Sequence, residues 1–279
     1  MSASAGTVLS HQFKPQSRDR GAAPHRPILK VASFNIQTGI GTASYQEYLT
    51  GSWRHVLPSN KRILNLNRIA ELLKPFDIVG LQEAEGGGAR SRHIVQTEYL
   101  AKAAGFPYWH HQVNRRIGNI AVHSNGLLTR IKPDFLRDYR LPGLPGRGAI
   151  MARFGARPDE ALYLCVLHLA LSRRARLRQL AFVSELIGDL PYVILMGDFN
   201  CEPYSPEMKL LTSATRLCDP MHEIKTFPSW RPNRMLDHIL VTPGLQVRKV
   251  QALNFACSDH LPVAMEIGLP DVLRFCGRN

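Results

Sequence analysis

Long apolar runs are missing from this sequence. The longest nearly apolar stretch covers residues 161–171 and is interrupted by His168, which is well short of the roughly 18 residues that a membrane-spanning helix needs. Residues 1–27 also lack the apolar segment of a secretory signal peptide. The sequence therefore predicts a protein without a transmembrane helix and with a cytoplasmic location.

Cysteine is also scarce, since the chain has only five and none of them lies in a CxxC pair. An odd number without paired spacing argues against a disulfide framework and against a structural zinc site. We expect free thiols at all positions, which are Cys165, Cys201, Cys218, Cys257 and Cys276.

Acidic residues are fewer than basic residues. The chain has 22 Asp and Glu and 35 Lys and Arg, which gives a net charge of +13. This excess suits a polyanionic partner such as nucleic acid or an anionic lipid surface, because phosphate contacts release counterions. A host whose proteins are generally basic is the alternative explanation. The sequence indicates no stable protein partner.

The chain divides into a tail and one predicted domain. Residues 1–27 are polar and without periodicity, so they are predicted to form a mobile basic tail. No linker follows, and we expect residues 28–279 to form one domain. Apolar runs there alternate with helical patterns over residues 63–73 and 177–187, which indicates a mixed α/β fold.

Four apolar, strand-like runs each end in polar residues. The runs cover residues 28–34, 78–81, 162–167 and 192–196. The residues that directly follow them are Asn35, Gln82-Glu83, His168 and Gly197-Asp198-Phe199-Asn200. Ligand sites in α/β folds gather where strand ends meet, because a buried strand fixes the position of its terminus. The four polar ends therefore predict a single site.

The chemistry of the candidate residues points to a hard divalent cation. The set is rich in oxygen and contains Asn35, Glu83, Asp198, Asn200, Asp237, Asp259 and the imidazole of His260. Carboxylate and amide oxygens suit Mg²⁺ or Mn²⁺ better than a closed zinc site. Hydrolysis of a phosphate ester needs a cation, a base that orients water and a group that eases the leaving oxygen away. The set offers residue types for each task.

Six short segments resemble, in the same order, the motifs of the endonuclease/exonuclease/phosphatase superfamily. In one-letter code they are SFNIQT from Ser33, VGLQE from Val79, VLH from Val166, MGDFN from Met196, RMLDHIL from Arg234 and CSDHLPV from Cys257. The resemblance spans about residues 31–267. It implies a DNase I-like four-layer α/β sandwich, in which two mainly antiparallel β-sheets pack face to face with helices outside.

The resemblance also implies a metal site and a water site. Glu83 would be the principal metal ligand, with Asn35 and Asp259 as further metal or water contacts. Asp198 would orient or deprotonate the attacking water, and Asn200 would hold that water or a phosphate oxygen.

The remaining implied roles concern the substrate phosphate. His260 would bind the scissile phosphate, with Asp237 orienting its ring, and His168 matches a second histidine of the deoxyribonuclease I branch. Arg147 stands where that branch has a phosphate-binding arginine. Asn119, in a Gly-Asn segment typical of phosphodiesterase and lipid-acting branches, would reach a phosphate oxygen.

Two departures count against a role in abasic-site repair. Nucleases of that type carry an acidic residue where this chain has Gln37, and a tyrosine where it offers Arg115 and Arg116.

Three interpretations of function stay open at this point. The first is a Mg²⁺-dependent, DNase I-like nuclease that cleaves a phosphodiester by in-line attack of water. The second is a phosphatase or phosphodiesterase acting on phosphoinositide, phospholipid or another small phosphate ester. The third is a binding module without catalytic activity.

Overall fold

The computed structural model describes residues 27–40, 60–143 and 145–273, which form eleven strands and four helices. The strands are β1 (Ile28–Asn35), β2 (Ile78–Glu85), β3 (Tyr108–Ile117), β4 (Ala121–Thr129), β5 (Phe135–Arg140), β6 (Gly148–Phe154), β7 (Leu162–His168), β8 (Val193–Asp198), β9 (Asp237–Val241), β10 (Gln246–Ala252) and β11 (Val263–Gly268). The helices are α1 (Asn60–Leu73), α2 (Gln96–Ala104), α3 (Arg173–Ile187) and α4 (Pro206–Ala214).

The strands form two sheets. The first has the order β10-β11-β1-β2-β4-β3, and the second has the order β5-β6-β7-β8-β9. Each sheet contains one parallel pair within the described residues, β1 with β2 and β7 with β8, while the other neighbours run antiparallel. The prediction of two mainly antiparallel sheets is confirmed.

The core between the sheets follows from the alternation of side chains along each strand. In β1, Leu29 and Val31 belong to the central cluster, whereas Ala32 and Phe34 face the opposite side. β7 alternates in the same way, with residues 162, 164 and 166 in the central cluster and residues 165 and 167 outside it. Both sheets therefore bury two faces, which explains why their central strands are apolar almost throughout.

Helices cover the outer face of each sheet. Leu66, Ile69 and Leu73 of α1 pack with the outer residues of the first sheet, and residues of α3 such as Leu180 and Val183 pack on the second. Because residues spaced by three and four positions share one side of a helix, the helical periodicity in the sequence marked these buried faces. The four-layer arrangement is confirmed.

The structure bears on the predictions about the cysteines, the N-terminal tail, membrane-spanning helices and the extent of the domain. Four cysteines lie within the described residues as free thiols, as predicted, and Cys276 lies outside them. Residues 1–26 of the predicted tail also lie outside the described residues, while the carbonyl oxygen of Pro27 accepts a hydrogen bond from the Leu269 amide at 3.0 Å. No helix in the described ranges is long and apolar enough to cross a membrane. The extent of the single domain stays a prediction.

Truncation of Phe154 tests the central core. Its ring is fully buried between the sheets, so Phe154→Ala is expected to lower the free energy of unfolding by about 3–5 kcal/mol. Phe135→Ala is the matched control, because Phe135 is 41% exposed at the start of β5. This variant should lower the free energy of unfolding by less than about 1 kcal/mol. Denaturant unfolding measures both, and equal losses would contradict the assigned layers.

Candidate active site

The polar residues at the strand ends meet at one end of the two-sheet sandwich. Parallel pairing brings Asn35 of β1 level with Gln82 of β2, and His168 of β7 level with Asp198 of β8. Between the sheets, Asn35 Nδ2 donates a hydrogen bond to Asp198 Oδ2 at 3.0 Å. The strand ends of both sheets therefore line a single cleft.

Glu83 reaches the cleft through an irregularity in β2. The register between β2 and β4 shifts between Leu81 and Ala84, and Glu83 has a positive φ of 54°. Such a bulge turns a side chain away from the direction that regular alternation would give it. As a result, Glu83 Oε1 lies 4.0 Å from His168 Nε2, and its side chain stays 34% exposed.

Asp198 is nearly buried and lies at the centre of the polar contacts. Its Oδ1 accepts a hydrogen bond from the amide of Asn200 at 2.9 Å. Its Oδ2 lies 3.4 Å from His168 Nε2 and 3.8 Å from His260 Nε2. Asn200 has a φ of 52°, a conformation that asparagine tolerates, and its Nδ2 donates to the Leu169 carbonyl at 3.0 Å.

His260 is held by a carboxylate on β9. Because β8 and β9 run antiparallel, Asp237 at the start of β9 lies opposite Asp198. His260 Nδ1 donates to Asp237 Oδ2 at 2.8 Å, and Thr226 Oγ1 donates to the same oxygen at 2.6 Å. This pairing fixes the imidazole orientation, as a carboxylate does in other catalytic triads, and directs Nε2 toward Asp198.

Arg147 sets the tautomer of the second histidine. Arg147 Nη1 donates to His168 Nδ1 at 3.0 Å, so the proton of the neutral ring lies on Nε2. Burial, followed by the positive charges of Arg147 and His260, lowers the pKa of His168 well below its usual value. His168 is therefore neutral and presents an N–H group toward Asp198.

Asp259 lies on a loop that is hydrogen-bonded to the end of β1. Ser258 Oγ donates to the Asn35 carbonyl at 2.6 Å and lies 3.2 Å from Asp259 Oδ1. On the other side, the Ser229 amide donates to the Asp259 carbonyl at 2.8 Å. These contacts hold the β10–β11 loop next to the end of β1.

The sequence profile of the Endonuclease/Exonuclease/phosphatase family matches residues 32–260. The chain belongs to this family. The match contains the strand ends and the loop that build the cleft, and the members of the family are hydrolases of phosphate esters.

One protein is similar to this chain in sequence, and two solved structures are similar to it in fold. The protein YbhP of Escherichia coli (strain K12) is 28% identical over 164 residues, which cover 53% of this chain and 63% of YbhP, less than two thirds of that protein. The mannosyl-6-phosphatase Bt3783 of Bacteroides thetaiotaomicron VPI-5482 superposes with a TM-score of 0.62 at 21% identity, over 86% of this chain and 99% of that one. D. rerio TDP2, complexed with a single-strand DNA product, superposes with a TM-score of 0.61 at 18% identity, over 86% and 98%.

Clustered carboxylates make the cleft a suitable place for a cation. Burial raises the pKa of Asp198 to about 6, with Asp237 adding to the shift. Burial also raises the pKa of Asp259 to about 6, with Glu83 adding, and it raises the pKa of Glu83. A divalent cation would offset this crowding of negative charge. The oxygen donors Glu83, Asp259 and Asn35 therefore fit a hard divalent cation.

A second group of possible ligands is less suited to a metal. Atoms of Asp198, Asp237 and His260 lie within 4.8 Å of one another. However, His260 already donates to Asp237. Burial opposes charge on His260, but Asp237 and Asp198 outweigh it and raise its pKa to about 10. Since a protonated imidazole has no lone pair to give, His260 is poorly suited to be a metal ligand in this group.

The structure does not bring Asn119 to the cleft. Asn119 is exposed at the turn between β3 and β4, where its carbonyl accepts a hydrogen bond from the Ala89 amide at 2.9 Å. A strand advances about 3.3 Å per residue, which places this turn well away from the part of β4 that faces Glu83. The assignment of Asn119 to a phosphate oxygen therefore has no support in the geometry.

A different asparagine of the same hairpin lies beside the cleft. Asn125 on β4 is fully buried and lines a cavity of about 250 Å³ together with Glu83, Arg147 and His168. Sequence reasoning missed it, although a polar Ser-Asn pair inside a strand-like stretch is the signal that would find it. Thr226 was missed as well, because a loop threonine carries no such signal.

His238 is separate from the cleft, as alternation along β9 predicts. It is fully buried, its Nδ1 bonds to Asp219 Oδ2 at 2.8 Å and its Nε2 bonds to the Cys201 carbonyl at 3.1 Å. Burial opposes its charge, but the contact with Asp219 outweighs it and raises the pKa of His238. Its role is structural.

Gly197 allows β8 to approach β7 closely just before Asp198. A Cβ at Gly197 would lie 1.9 Å from the Leu167 carbonyl oxygen, and the φ of Gly197 is 150°. Gly197→Ala is expected to push the two strands apart, lowering the free energy of unfolding by about 1–3 kcal/mol or more and reducing phosphoesterase activity.

Gly118→Ala is the control for Gly197→Ala. Gly118 has a φ of 50° but nothing within 4 Å of an added Cβ, so only a backbone cost of about 1–2 kcal/mol is expected, without loss of activity. Denaturant unfolding and an assay of phosphodiester hydrolysis measure both variants. Full activity of Gly197→Ala would show that Asp198 does not depend on this close approach.

Proposed function

We propose that this chain is a Mg²⁺- or Mn²⁺-dependent phosphoesterase that hydrolyses a phosphodiester bond of nucleic acid by in-line attack of water. The observation that carries the proposal is the meeting of Glu83, Asp198 and His168 from three strands of two sheets, with His260 beside them. The same proposal places the chain in the cytoplasm, where it acts without a stable protein partner.

Glu83 would hold the cation, with Asn35 and Asp259 as further oxygen contacts. A bound divalent ion supplies positive charge that neutralises the phosphate oxygens as the bond breaks. Asn35 also fixes the spacing between the two sheets at this point, because its amide donates to Asp198. Its contribution is therefore to position the carboxylates as well as to offer an oxygen.

Asp198 would orient the attacking water and accept its proton. Burial raises the pKa of Asp198 to about 6, which brings it closer to the operating pH that favours a general base. Asn200 would hold the same water or a phosphate oxygen, since hydrogen bonds fix its position: its amide donates to Asp198 Oδ1 and its Nδ2 donates to the Leu169 carbonyl.

His260 would bind the scissile phosphate. Its raised pKa keeps the ring protonated at neutral pH, and a charged N–H donor interacts strongly with phosphate oxygens. Asp237 positions this donor. Neutral His168 next to Asp198, and the guanidinium of Arg147 next to His168, would add two more donors.

Nucleic acid is the favoured substrate because of charge. The net charge of +13 suits a polyanion, and the similar TDP2 structure contains a single-strand DNA product. A small phosphate ester is the second candidate, because the cavity of about 250 Å³ beside His168 suits a compact ligand and a similar fold belongs to a mannosyl-6-phosphatase. A binding module without activity is disfavoured, since the cleft keeps carboxylates, amides and imidazoles in mutual contact.

Substrate hydrolysis by the Asp198→Ala variant tests the proposal. With Mg²⁺, the wild-type protein should nick supercoiled plasmid and hydrolyse bis-p-nitrophenyl phosphate, and Asp198→Ala should slow both reactions by about 10²–10⁴-fold because the water loses its base. Asp159→Ala is the control, since the Asp159 side chain is 72% exposed, and it should keep full activity.

The substrates separate the candidates. Hydrolysis of only the small ester or of phosphoinositides would contradict the choice of nucleic acid and favour the second candidate. Binding of nucleic acid without turnover of any substrate would contradict an enzymatic function altogether.

Glu83→Ala tests the assignment of the principal metal ligand. In calorimetric titrations with Mn²⁺, this variant is expected to lose measurable binding, because the remaining contacts provide too little negative charge for a hard cation. Glu71→Ala removes a carboxylate that is 68% exposed on α1 and should bind as the wild type does. Unchanged affinity in Glu83→Ala would remove Glu83 from its role.

A further inference from the structure

A cavity of about 250 Å³ opens from the cleft toward the β3–β4 hairpin. Glu83, Arg147 and His168 form the wall that it shares with the cleft. Its other wall comes from the hairpin and includes Asn114, Arg115, His123 and Asn125. A group bound in the cavity would therefore lie directly next to the proposed position of the scissile phosphate.

A bulge in β3 places Arg115 at this cavity. The register of β3 against β4 shifts between Val113 and Arg115, so two successive residues, Asn114 and Arg115, both line the cavity. The Arg115 side chain lies near Gly146 of the facing loop, since a Cβ on Gly146 would be 3.5 Å from Arg115 Cδ. Arg115 and Arg116 are both exposed, but Arg116 does not line the cavity.

The positive charge of the cavity exceeds its negative charge. Two guanidinium groups, Arg115 and Arg147, line it, and Glu83 is the one carboxylate among the lining residues. Within the described part of the chain, Arg115 forms no ion pair, and Arg147 donates to His168. An unpaired guanidinium beside a polar cavity is suited to bind phosphate oxygens.

The neutral part of the wall offers hydrogen-bonding groups. Asn125 Nδ2 donates to the Gly148 carbonyl at 2.9 Å, which fixes the orientation of the amide. Its Oδ1 is buried and has no hydrogen-bond partner among the described residues. The volume lies below the roughly 300–1,000 Å³ of pockets for drug-sized ligands, which is compatible with a phosphate on a single sugar.

We propose that this cavity is a subsite for a sugar-phosphate unit next to the scissile phosphate, and that Arg115 binds the phosphate of that unit. The inference rests on the proposed function, because it takes the cleft as the place of hydrolysis. A nucleic acid strand and a small sugar bisphosphate both contain such a unit. Arg115 would thus favour substrates with two phosphates over substrates with one.

Paired substrates with and without a second phosphate test the subsite. One pair is a thymidine dinucleotide with and without a terminal phosphate, and the other is glucose 1,6-bisphosphate and glucose 6-phosphate. The second phosphate should raise kcat/KM for at least one pair, and Arg115→Gln should reduce that gain by about tenfold, because a charge-assisted hydrogen bond is lost. Hydrolysis of bis-p-nitrophenyl phosphate, which lacks the unit, should change less than twofold.

Arg116→Gln is the matched control, because it removes the same charge from the next residue of β3, and it should leave every rate unchanged. A gain in the dinucleotide pair alone assigns the unit to a strand, and a gain in the sugar pair alone assigns it to a small substrate. Two results would overturn the subsite while leaving the proposed function intact. One is turnover without any preference for the second phosphate, and the other is an Arg115→Gln variant that loses as much activity on bis-p-nitrophenyl phosphate as on the paired substrates.

Binding of inorganic pyrophosphate keeps the test decisive if no substrate is turned over and the proposed function fails. In calorimetry without metal, Arg115→Gln should then bind pyrophosphate about tenfold more weakly than the wild type and Arg116→Gln. Equal affinity of all three proteins would overturn the anion site itself.

Discussion

The hydrogen bond from Asn35 to Asp198 joins the two sheets where the cleft opens, and the other contacts of the cleft depend on it. Burial of a carboxylate is unfavourable unless hydrogen bonds and charges offset it. Asp198 meets this condition through Asn35 and the Asn200 amide, with His168 and His260 nearby. The carboxylate that holds the strand ends together is thus the one proposed to act on water, so stability and activity share the same contacts.

Much of the fold could be predicted because buried strands and helix faces leave strong patterns. β1, β7 and β8 were found within two residues of their bounds, and α1 ends just before Lys74-Pro75, where proline disfavours helix. Edge strands such as β5 and β10 have largely exposed or half-buried residues, so their hydrophobic signal is weak. Strand order depends on long-range pairing, which local patterns do not contain.

The candidate site could be predicted only as far as residue type and strand ends determine it. Asp198 follows an apolar strand directly, so its placement needed only the parallel pairing of β7 with β8. Glu83 and Arg115 instead depend on bulges, whose positions are set by tertiary contacts. The choice between Asn119 and Asn125 depends on where the hairpin turns, and the sequence does not determine that position.

The central claim is that Glu83, Asp198 and His260 serve one divalent cation and one phosphate in a single cleft. Anomalous diffraction from a crystal soaked with Mn²⁺ and inorganic phosphate tests it most directly. The account predicts an anomalous peak in contact with the Glu83 carboxylate, and phosphate density between that peak and His260. A peak bound by Asp198, Asp237 and His260, with none at Glu83, would contradict it.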